Sequence, residues 1–83
     1  MTEATLPAIE RLDALLVAID RCGPADQAEF AHEHIQEART YALGAMPQEC
    51  EWNLQLARRT LAHMPASVES KRAQEMLAKL YPS

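Results

Sequence analysis

Five prolines, at positions 7, 24, 47, 65 and 82, cut this chain into pieces of helix length. Within each piece the apolar residues recur at steps of three and four, the spacing of one face of an α-helix. Proline lacks an N–H and clashes with the preceding turn, so a helix runs between such positions rather than through them. No segment alternates apolar and polar as a half-buried strand would. The pattern predicts an all-α domain of four helices, over roughly 6–22, 26–45, 47–64 and 68–81. Connections of about two to four residues force neighbouring helices to lie antiparallel or at a steep angle. The architecture expected is a small four-helix bundle or two stacked antiparallel helical hairpins.

Each piece carries its own start and stop signals. Pro7 falls just inside the first helix, whose stripe is Ile9, Leu12, Leu16 and Ile19, widened by Leu15 and Cys22. Gly23 and Pro24 then stop it, glycine by permitting a left-handed cap. Asp26 and Glu29 read as a capping box for helix two, with Phe30, Ile35, Ala38, Tyr41, Ala42 and Ala45 as its stripe and His34 beside it. Gly44 weakens its last turn. Pro47 ends helix two and opens helix three, where Glu49 meets the positive end of the dipole. Cys50, Leu54, Ala57, Leu61 and Met64 form the third stripe, flanked by Trp52 and Leu56. Ser67 caps helix four, whose stripe is Ala73, Met76, Leu77, Leu80 and Tyr81, closed by Pro82. Helices two and three share the ending Leu-x-x-Met-Pro, too short to be a repeat, and the tetratricopeptide pattern does not align.

At 83 residues the chain is expected to form one domain, near the lower size limit for folding alone. Its 48% hydrophobic and 24% charged residues are ordinary globular proportions and exclude wholesale disorder. A net charge of −4 argues against nucleic acid as the main partner, because such binding leans on basic patches. No apolar run reaches the roughly 18–20 residues that span a bilayer. The first residues lack the basic-then-apolar order of a secretory signal, and two cysteines make no disulfide framework. A cytoplasmic protein with reduced thiols and no membrane association is expected.

The candidate chemistries are few. Glu29-x-x-His32 has the spacing of a di-iron carboxylate ligand pair, with Glu33 nearby, but a second such pair is missing: Thr60 stands three residues before His63. No metal and no cofactor are expected. Cys22 and Cys50 lie on apolar stripes, where a thiol behaves as a small inert hydrophobe, and Glu49 and Glu51 oppose ionisation of Cys50. With two glycines and no Ser-His-Asp or zinc spacing, no catalytic constellation emerges, and the chain is expected not to be an enzyme.

Surface residues carry the remaining signal. Glu29, Glu33 and Glu37 form an acidic row on helix two, and a hairpin about Pro47 places Arg58 and Arg59 opposite it as an expected interhelical ladder. On helix four, Glu69, Lys71, Arg72, Glu75 and Lys79 have the spacings of intrahelical pairs. Trp52 stands off its stripe, and tryptophan, tyrosine and arginine are enriched at interface centres. Trp52, Arg58, Arg59 and Tyr41 are therefore the candidate partner-binding residues. They suit a non-catalytic protein–protein interaction module, such as a small acidic inhibitor, an antitoxin-like factor or an accessory protein, with a protein partner, self-association, or both.

The stretch Leu12 to Ala45, with Ile35-Gln36-Glu37-Ala38 followed by Tyr41-Ala42, resembles phage proteins that sequester cyclic oligonucleotide immune signals. Those small helical oligomers carry a Leu-Glu-Glu-Ala, aromatic, Ala run; Gln36 departs from it. The resemblance implies an alternative function, an oligomeric small-molecule binder with its sites at subunit contacts.

Overall fold

The computed structural model describes residues 6–80 and holds four helices among them: α1 (Ile9–Asp20), α2 (Ala25–Leu43), α3 (Pro47–His63) and α4 (Val68–Ala78). The chain is all-α, a small helical bundle. Around the bundle, α1 packs on α2, α2 on α3, α3 on α4 and α4 back on α1, with α2–α3 the most extensive contact. One hydrophobic cluster joins them, with Leu12, Leu15, Ile19, Ile35, Leu61 and Leu77 at its centre.

Small side chains make up much of the buried surface of α2 and α3. Ala28, Ala31, Ala38 and Ala42 are buried along α2, and Cys50 and Ala57 along α3. Small residues let helix axes approach closely and multiply backbone-level packing. Phe30, assigned to this stripe from sequence, is 60% exposed, and Ala45 is exposed as well. The helical period set by Ala28, Ala31, Ile35, Ala38 and Ala42 turns Phe30 away from the core.

The turn between these helices is a Schellman motif. Met46 N–H donates to the Tyr41 carbonyl at 2.9 Å, and Ala45 N–H to that of Ala42 at 3.2 Å. The left-handed position is taken by Ala45, at φ 56°, one residue beyond Gly44, at φ −84°. Pro47 opens α3 with Glu49 in its first turn.

Two expected starts and one stop differ. Ala8, extended at φ −66° and ψ 135°, caps α1, so Pro7 lies before the helix rather than in it. Pro24, extended at ψ 155°, caps α2 through its carbonyl, which accepts from Ala28 N–H at 3.0 Å. The Asp26–Glu29 box does not form; Asp26 already lies in the first turn, where its charge faces the helix dipole. Gly23 does not take a positive φ, so α1 ends without the left-handed cap. Tyr81 and Pro82 lie outside the described residues.

At α4, Ser67 is the N-cap and pairs reciprocally with Ser70, each side chain accepting from the other's backbone N–H at 3.0 Å. Gln74 Nε2 donates to the Leu61 carbonyl at 2.9 Å, joining the Met64 N–H that the same oxygen accepts at 3.2 Å in the last turn of α3. Arg39 Nε bonds Asp13 Oδ1 at 2.7 Å and His32 lies 3.4 Å from Asp20, tying α2 to α1.

Moving the glycine to the left-handed position, in the double variant Gly44→Ala with Ala45→Gly, should raise stability by about 0.5–1.5 kcal/mol in urea unfolding. A Cβ at Gly44 meets only ordinary contacts, the nearest at 3.6 Å. Ala57→Leu, by contrast, should cost about 1–3 kcal/mol by overfilling the seam. An unchanged midpoint for Ala57→Leu would show that the seam has slack.

Candidate functional site

Trp52 is 63% exposed, on the outer face of α3. Cys50, Leu54, Ala57, Leu61 and Met64 turn the opposite side of that helix into the core, which closes without the indole. Gln55 and Arg59 follow Trp52 at three and seven residues and are exposed on the same outer face. Arg58 stands one step round the helix, and a shallow depression there is lined by Glu51, Gln55, Arg58, Arg59 and Ala62. The structure thus brings Trp52, Arg58 and Arg59 onto one exposed helix surface. Tyr41 is on α2, half-buried and packed against the core, so much of its ring is committed within the fold.

The expected ladder between Glu29, Glu33, Glu37 and Arg58, Arg59 is not formed. The ion pairs among the described residues are His32–Asp20 and Arg39–Asp13. The glutamate row lies on the outward side of α2, and the charged groups of α2 that find partners reach α1 instead. The pairings expected within α4 are likewise not within ion-pair distance. Arg58, Arg59, Lys71, Arg72 and Lys79 therefore keep their charges free of ion pairing with described residues.

Sequence reasoning missed a second surface. On their outer side α1 and α4 border an open groove of about 780 Å³, lined by Val17, Val68 and Met76 together with Arg21, Arg72 and Glu69. Val17 and Val68 are 54% and 81% exposed. Each valine sits off its helix's stripe, which was the available signal, but the groove arises only when helices about 50 residues apart in sequence meet.

The remaining candidates resolve simply. His32 turns to Asp20, and among the described residues no group of three or more His, Cys, Asp or Glu side chains is placed to hold a metal ion. Both cysteines are free and buried. Burial, and then the charge of Glu69, pushes the Cys22 thiol above the ordinary value of 9.0. Burial and then Glu51 do the same for Cys50. Neither is an activated thiolate at neutral pH. Ile35, Ala38 and Ala42, which carry the resemblance to the sequestering phage proteins, are buried, so core packing accounts for their spacing. No protein-family model, curated protein or solved structure matches this chain. No helix among the described residues is long and apolar enough to cross a membrane.

Raised thiol pKa values mean that ionisation disfavours the fold. Their contribution to stability is complete below about pH 9 and is lost as pH rises through the folded values. At neutral pH, a thiol-modifying disulfide reagent should label Cys50, 1% exposed, at least roughly 100-fold more slowly in the native protein than in denaturant. Cys22, 8% exposed, should react before it. Rapid native labelling of Cys50 would contradict the burial.

Proposed function

We propose that this chain is a non-catalytic protein–protein interaction module acting in the cytoplasm, which engages a protein partner through the outer face of α3. The supporting observation is Trp52, 63% exposed on a helix whose opposite side completes the core. A large ring left in water costs solvation free energy in the isolated chain and yields it on association, which is why such residues anchor interfaces. Arg58 and Arg59 supply charge beside it, free of ion pairs with described residues, and extend hydrogen-bonding reach to an acidic or carbonyl-rich partner surface. The closed core leaves the α3 face free to change without disturbing the fold.

Because Trp52 is outside the core, Trp52→Ala should leave thermal stability within about 0.5 kcal/mol of the parent. The same variant should weaken binding to a partner captured by the parent chain about 30-fold or more, the loss typical of an interface anchor. Arg59→Ala should weaken it less, with a shallower salt dependence. Unfolding of Trp52→Ala, or a partner bound equally by parent and variant, would contradict the assignment.

A further inference from the structure

The groove between α1 and α4 continues along α4 into a second depression that shares Val68, Arg72 and Met76 and adds Lys71, Lys79 and Glu75. The two are therefore one surface, on which the apolar side chains of Val17, Val68 and Met76 stand among mostly basic charged ones. Four of the chain's eight lysines and arginines (Arg21, Lys71, Arg72 and Lys79) line it, against the two carboxylates of Glu69 and Glu75. On a chain whose net charge is −4, that is a local excess of positive charge.

The outward face of α2 has the opposite character. Asp26, Glu29, Glu33 and Glu37 are all exposed there, and Phe30, 60% exposed, stands among them. The one arginine of α2, Arg39, is turned to Asp13 and does not neutralise this row. From Asp26 to Glu37 the helix advances about 17 Å, and α4 from Val68 to Lys79 advances the same distance. An aromatic anchor flanked by acids on one helix thus matches, in length and charge, an apolar groove flanked by bases.

We propose that these two surfaces bind each other between copies of the chain: α2 of one molecule lies along the α1–α4 groove of the next. Phe30 covers Val17, Val68 and Met76, while the carboxylates of α2 face Arg21, Lys71, Arg72 and Lys79. This is a helix-in-groove contact strengthened by charge complementarity. Since it joins two different patches, each contact leaves one molecule with a free groove and the other with a free α2 face, from which growth continues head-to-tail. The α3 face takes no part, so this association is independent of partner binding through Trp52.

Sedimentation velocity of the full chain tests it. The weight-average mass should rise with protein concentration at about 20 mM salt and fall back toward the monomer at about 300 mM, because screening weakens the charge term. Phe30→Ser loses the donor and Arg72→Glu loses the groove; both residues are exposed, so both variants should fold, as circular dichroism would verify. Each alone should be monomeric, while an equimolar mixture should form a one-to-one dimer that grows no further, since only one productive contact remains. Trp52→Ala should associate like the parent. A parent chain that stays monomeric at low salt up to about 1 mM, a mixture that stays monomeric, or self-association that survives Phe30→Ser would each overturn the proposal.

Discussion

The close approach of α2 to α3 sets the geometry of this molecule. Four alanines are buried on α2 and a cysteine and an alanine on α3, and the two helices share the largest contact in the bundle. A seam of small side chains gains through proximity what it lacks in side-chain area, because dispersion falls steeply with distance. The Schellman turn at Gly44–Met46 holds the ends in register, and Pro47 restarts the helix without losing a hydrogen bond it would have made. Large side chains come from all four helices: Leu12, Leu15 and Ile19 from α1, Ile35 from α2, Leu61 from α3 and Leu77 from α4.

Polar contacts then pin what packing leaves free. Gln74 connects α4 to the Leu61 carbonyl of α3, and Arg39 and His32 stitch α2 to α1. The Arg39–Asp13 pair is exposed enough to add roughly 1 kcal/mol or less, so its effect is on orientation more than on stability. Inside, Ser70 and Asn53 are buried with their hydrogen bonds directed at nearby backbone, which makes their burial affordable. The outward surfaces are left to carry charge and the few exposed apolar side chains.

Periodicity identified four helices and most of the core, because the buried hydrophobics of α3 and all three of α1 fall on the steps of three and four. On α2 it placed Ile35, Ala38 and Ala42 in the core but misplaced Phe30, for an instructive reason. Phe30 is the chain's only phenylalanine and drew the apolar stripe toward itself, yet the step of five to Ile35 breaks the helical spacing. Ala28 and Ala31, weak in hydrophobicity, define the buried side instead. Gly44 likewise sits one residue from the left-handed position that glycine favours, so residue type located the turn while the hydrogen-bond register decided it. Trp52 was legible as an off-stripe aromatic. The α1–α4 groove was not, since neither helix alone contains it. Nor was the fate of the glutamate row, which depends on how far α2 is rotated between its neighbours.

Native-state hydrogen exchange, read helix by helix, tests most directly whether the α2–α3 seam underlies the rest. If it does, amides of α2 and α3 beside Ala31, Ala38 and Ala57 exchange only through global unfolding, while those of α1 and α4 exchange through smaller openings that leave the α2–α3 pair intact. Protection in α1 or α4 equal to or greater than that in α2 and α3 would contradict the account.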